Sequence, residues 1–246
     1  MTAIQPRPSY KYVGTRPIRH DGLDKVTGKA RYAADLILPG MLAGHVLRSP
    51  HAHARIVSID TTAAEAMPGV KAVVTSADFP ELQPDDEHYK ISNNLMARDK
   101  VLYEGHALAA VAAGTRAQAQ AAAEAIAVSY EVLDHVLTVD EAMADGACVL
   151  HDDLITSGVE PTPTEASNVV ARTLFERGDV EAGFAQSDVV VERQFTTRAI
   201  HQAYIEPHAV IADTGQDGKS VVWGSSQGHF KVRSASAAML GWDTAR

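Results

Sequence analysis

The chain has 246 residues, 46% of them apolar and 22% charged, which suits one or two folded domains with a sizeable core. Its formal net charge of −9 argues against a nucleic-acid partner, because phosphate neutralisation needs clustered Lys and Arg. The single cysteine, Cys148, excludes an internal disulfide framework and a protein-held iron–sulfur cluster, which normally takes four thiolates.

Residues 1–16 read as an extended arm, since Pro6 and Pro8 disfavour a helix. The first ten residues have no apolar core and so form no secretory signal, and the apolar run at 107–113 is too short to span a bilayer. A cytoplasmic protein without membrane contact is expected. Pro39-Gly40 marks a turn, and strands are expected at 42–47 and 54–59, joined by a polar corner, Arg48-Ser49-Pro50-His51-Ala52-His53. Asp60 or Thr61 caps a short helix over 62–67, which Pro68-Gly69 ends. A buried strand at 70–74 leads to a turn or helix start at 75–78, then to an acidic, Pro-containing exposed loop at 80–99.

Small residues at 108–112 form a strand, Thr115 caps an Ala-rich helix over 116–127, and 128–133 returns as a strand. A short helix at 139–144 ends at Gly146, and the Gly- and Pro-containing stretch 146–171 reads as a linker. Beyond it come a capped helix at 178–184, a long strand at 188–197, and strands at 204–212 and 219–224 that complete an antiparallel set. Ser225 or Ser226 opens a helix over 229–240, which Gly241 closes. The order of strands and helices is an α+β or α/β pattern.

Few residues suggest chemistry. Gly22 and Gly28-Lys29 are not a phosphate loop, because five residues separate the glycines and Ala30 stands where Ser or Thr is needed; nor is there a G-x-G-x-x-G. His51 and His53 lack a carboxylate or Cys at zinc spacing and read as a surface corner, while His201 and His208 fall on opposite faces of a strand. Glu206 could be a general base, but Glu206-Pro207 reads better as the start of an extended segment. Cys148 has no activating neighbour. The stretch Trp223-Gly224-Ser225-Ser226-Gln227-Gly228-His229-Phe230 is a strand end, a small-residue turn and a helix start. Unpaired N–H groups of a helix start can hold an anionic group, and a Gln amide can donate to a metal–oxo group. Read locally, it is far more often a plain helix start with a solvated Gln227.

Several runs resemble the molybdenum-binding large subunit of the xanthine dehydrogenase and aldehyde oxidase family. They include Lys25-Val26-Thr27-Gly28-Lys29-Ala30, Leu38-Pro39-Gly40-Met41-Leu42 and Arg48-Ser49-Pro50-His51-Ala52-His53-Ala54-Arg55-Ile56. They continue through residues 103–112, where Glu104 and His106 depart from the commoner pattern, and through Gly178-Asp179-Val180-Glu181-Ala182-Gly183-Phe184. The resemblance implies an α+β fold: an arm over 1–16, an α/β hammerhead domain over 17–145, a linker over 146–171, and the beginning of a molybdopterin-binding domain over 172–246. It implies a molybdenum–molybdopterin cofactor with Gln227 beside the metal, above its apical oxygen, and with Gly228 and His229 lending backbone near the pterin.

The family's catalytic Glu and Gly-rich loop lie in sequence that this chain does not contain, so no catalytic residue is expected here and the isolated chain is expected to be inactive. The implied reaction is hydroxylation of an aldehyde or aromatic heterocycle with oxygen from water. The implied partners are the remaining molybdopterin-binding polypeptide, an iron–sulfur subunit and an FAD subunit. The alternative is a non-catalytic hammerhead module that serves assembly and carries no molybdenum.

Overall fold

A computed structural model describes residues 10–246. Most of the expected N-terminal arm, residues 1–9, lies outside the described residues. In chain order the elements are α1 (Gly22–Val26), β1 (Ala43–Arg48), β2 (Ala54–Asp60), α2 (Thr62–Glu65), β3 (Val70–Thr75), α3 (Tyr89–Leu95), β4 (Lys100–Val101) and β5 (Ala107–Ala113). They continue with α4 (Arg116–Glu124), β6 (Ala127–Val132), α5 (Val139–Met143), α6 (Val180–Ala185), β7 (Val210–Thr214), β8 (Ser220–Gly224) and α7 (His229–Leu240). The described residues divide into two units, one of 39–202 with 228–246, the other of residues up to 38 with 203–227.

The larger unit holds two antiparallel three-stranded sheets, ordered β1-β5-β3 and β4-β2-β6. Its core is built from small side chains. Ala119, Ala122 and Ala123 of α4 recur at helical spacing and are buried, the last two in one cluster with Ala109 and Val111 of β5. Alanine lets the helix backbone approach the strand closely and carries no helix-propensity cost. A second cluster joins Ala54, Ala97, Val101 and Leu108, with Leu108 fully buried. Capping follows the sequence: Thr115 accepts from the Gln118 N–H at 3.2 Å, and Thr138 and Glu141 form a capping box on α5. Backbone N–H donors of Leu137 and Thr138 hold the Glu141 carboxylate below its ordinary pKa.

Three expectations need correction. Residues 80–99 are not all exposed loop, because α3 forms there and Met96 and Ala97 are buried. The tie that orders α3 is His106, whose Nε2–H donates to the Asn93 carbonyl at 2.9 Å. The strand expected at 188–197 has no ladder partner among the described residues and stays an exposed segment without regular structure. For the same reason β7 is shorter than expected, and it pairs with β8 alone, from Val210 opposite Gly224 to Thr214 opposite Ser220.

The stretch 146–171 carries its own bonding. Asn168 donates to the carbonyls of Ala142 at 3.1 Å and Cys148 at 2.9 Å, and accepts from the Leu150 N–H at 3.1 Å. Lys100 pairs with Asp152 at 2.7 Å, and buried Thr156 donates to the Val169 carbonyl at 2.7 Å.

Candidate functional site

The strand–turn–helix stretch forms as expected. β8 ends at Gly224, Gly228 is the N-cap of α7, and Gly241 closes the helix in the left-handed region at φ 63°. Gly228 has no side chain to satisfy the orphan N–H groups of the helix start, and the first turn contains no acidic residue. That chemistry is open to an anionic or oxo-bearing group. The Phe230 ring lies 4.6 Å from that of His229 and 5.6 Å from the Arg233 guanidinium.

Gln227 is exposed and its amide bonds to no described residue. It belongs to the smaller unit, whereas Gly228 and His229 belong to the larger one. The smaller unit has a cavity of about 650 Å³, lined among others by Arg31, Tyr32, Glu206, Trp223, Ser225 and Ser226. Gln227 is the residue just beyond this lining and is not part of it. Sequence reasoning missed Arg31, which stands next to the quoted Lys29-Ala30 run but is brought to Ser225 and Ser226 only by the fold. Glu206, set aside from the sequence, is half-buried in the same lining. A guanidinium, a carboxylate, two hydroxyls and an indole make a mixed polar and aromatic lining.

The two buried histidines, His53 and His106, are structural. His106 is fully buried, stacks on Tyr103 at 4.4 Å and accepts the Leu102 N–H on Nδ1 at 3.3 Å; burial lowers its pKa. His53 is not on a surface corner: it is 5% exposed, and its Nδ1–H donates to the Asp134 carbonyl at 2.6 Å. His208 stacks on Tyr204 at 4.5 Å in a bend, so the strand-face argument for His201 and His208 does not apply. The Cys148 thiol donates to the Asp134 carbonyl at 3.3 Å. Among the described residues no group of three or more His, Cys, Asp or Glu is placed to hold a metal ion.

Two family models match the chain in tandem. Residues 27–134 match the aldehyde oxidase and xanthine dehydrogenase a/b hammerhead domain, and residues 161–246 match the molybdopterin cofactor-binding domain. The chain belongs to the xanthine dehydrogenase and aldehyde oxidase family. Among similar family members, a probable xanthine dehydrogenase subunit of Bacillus subtilis (strain 168) is 38% identical over 88% of this chain and 27% of its own length. The nicotinate dehydrogenase large molybdopterin subunit of Eubacterium barkeri is 34% identical over 94% of this chain and 51% of its own. The crystal structure of quinoline 2-oxidoreductase from Pseudomonas putida 86 superposes with a TM-score of 0.78 and 32% identity, over 94% of this chain and 29% of that one. The chain thus spans about a quarter to a half of the length of these relatives. The α+β fold is that of the family. No helix among the described residues is long and apolar enough to cross a membrane.

Proposed function

We propose that this chain supplies the hammerhead domain and the first part of the molybdopterin-binding domain of a molybdenum hydroxylase. The single observation that carries the reading is the tandem, in-order match to those two domains. The donor set fits the cofactor. In the cavity of the smaller unit, the Arg31 guanidinium and the hydroxyls of Ser225 and Ser226 suit a phosphate-bearing pterin. Gln227, with its amide exposed, would donate to the oxo group of the metal, and Gly228 and His229 would offer backbone to the pterin. When bound, the cofactor supplies the two-electron oxidation of the substrate carbon. The chain's own residues bind and orient it; none of them is assigned as the catalytic base.

The substrate class is an aldehyde or an aromatic heterocycle, with the incorporated oxygen drawn from water. Electrons leave through iron–sulfur clusters to FAD on partner subunits, and the remaining molybdopterin-binding polypeptide completes the site in the cytoplasm. The isolated chain has no turnover. The test is Gln227→Ala in the reconstituted complex. Turnover falls about 10–100-fold, as expected for a group that acts on a metal from outside its ligand set. Unchanged turnover with intact molybdenum content rejects the role of Gln227.

A further inference from the structure

We propose that residues 188–200 are a docking strand, an extended segment that adds to a sheet supplied by the remaining large-subunit polypeptide. The inference rests on the reading above, that such a polypeptide completes the molybdopterin-binding domain. Its starting point is a conflict between sequence and structure. Asp188-Val189-Val190-Val191-Glu192-Arg193-Gln194-Phe195-Thr196-Thr197 is rich in β-branched and aromatic residues, the composition of a pleated, partly buried strand. Its alternation puts Val190, Glu192, Gln194 and Thr196 on one side, and Arg193 with the apolar Val189, Val191 and Phe195 on the other. Yet these apolar side chains are 76%, 72% and 85% exposed, and Ile200 is 87% exposed.

The backbone agrees. Residues 188–200 make no backbone hydrogen bond with any described residue, so their N–H and C=O groups form an open ladder edge. A strand-forming segment with an open edge and an uncovered apolar side is a ready template for another strand. Such a segment is a hazard unless something pairs with it.

The identity of the occupant follows from where the segment lies. It falls within the match to the molybdopterin cofactor-binding domain, residues 161–246. The two relatives described above devote only 27% and 51% of their length to the part this chain matches. The occupant is therefore the remaining large-subunit polypeptide, presenting a strand edge and an apolar layer to Val189, Val191 and Phe195. Glu192 and Gln194 on the opposite side stay polar.

The experiment is amide hydrogen exchange read by mass spectrometry. The full chain is measured alone and after co-expression with the part of the Bacillus subtilis relative that lies outside the match. Alone, residues 188–200 exchange at the rate of an unstructured peptide. In the complex they are protected by at least ~100-fold. Val191→Pro, which removes a ladder donor, abolishes that protection and weakens the complex, while Val191→Thr preserves both. Because residue 191 is exposed, both variants leave exchange in β5 unchanged.

A complex that binds molybdenum while 188–200 still exchanges freely overturns the docking strand and leaves the functional reading intact. The same holds if Val191→Pro binds as well as the parent. Protection of 188–200 in the chain alone, through a homodimer or otherwise, also overturns it. Failure to form any complex overturns the functional reading and the docking strand together.

Discussion

The sharpest folding test is His106→Leu. The imidazole is fully buried and makes two bonds: Nε2–H donates to the Asn93 carbonyl at 2.9 Å and Nδ1 accepts the Leu102 N–H at 3.3 Å. Leucine keeps an apolar body of similar bulk but satisfies neither group. Each net hydrogen bond is worth roughly 0.5–1.5 kcal/mol, and more where the abandoned partner stays shielded from water, so the loss is about 2–4 kcal/mol at pH 8. Burial lowers the imidazole pKa from its ordinary 6.5. The folded state thus holds the neutral form while the unfolded chain takes up a proton below about pH 6.5. The stability this group contributes is full above that pH and is lost as pH falls toward the folded pKa. Urea unfolding of parent and variant at pH 8 and pH 5 measures both effects. The gap between them narrows on acidification, because only the parent carries this titration. A gap that stays constant or widens at pH 5 refutes the assignment of His106 as a neutral, doubly bonded tie.

Other expectations follow from the same structure. Gln227→Ala, at an exposed position without a bond to a described residue, shifts stability by no more than about 0.5 kcal/mol, so a loss of turnover cannot be ascribed to unfolding; thermal melting checks it. Gly158→Ala, at φ +73°, would drive a Cβ into the Arg172 carbonyl oxygen, a backbone atom, and costs on the order of 3 kcal/mol by denaturant titration. Asn168→Ala removes three hydrogen bonds that close the 146–171 stretch and speeds its cleavage in limited proteolysis, for a loss of about 2–4 kcal/mol. Leu108→Ala opens a cavity in the second core cluster and costs about 3–5 kcal/mol, read as a lower urea midpoint.

The elements legible in the sequence were those stabilised locally. Thr115 and Thr138 cap the helices they precede, and Gly241 ends α7 because the left-handed conformation there favours glycine. The apolar runs of β3 and β5 announce strands whatever their partners. What failed depended on distant contacts. α3 is short, has only Ile91 and Leu95 as aliphatic residues, and is held by His106 and by Tyr103, whose hydroxyl donates to the Asn94 carbonyl at 2.9 Å, so the segment itself carries little signal. The strand at 188–197 has the right composition but lacks a ladder, which composition cannot supply. His53 sits in a polar run, and only the packing of β2 against β6 buries it. The strand–turn–helix around Gln227 was legible as geometry. Its neighbourhood to the cavity lined by Arg31 and Ser225 was not, because those residues lie far apart in the chain.

The central claim is that this chain forms part of a molybdenum site that further polypeptide completes. The most direct measurement is molybdenum and pterin content of the purified chain, alone and co-expressed with the remaining large-subunit polypeptide. The account predicts no stoichiometric molybdenum for the chain alone and about one per complex after co-expression. A stable complex that stays free of molybdenum and pterin would contradict it and leave the chain a hammerhead module for assembly.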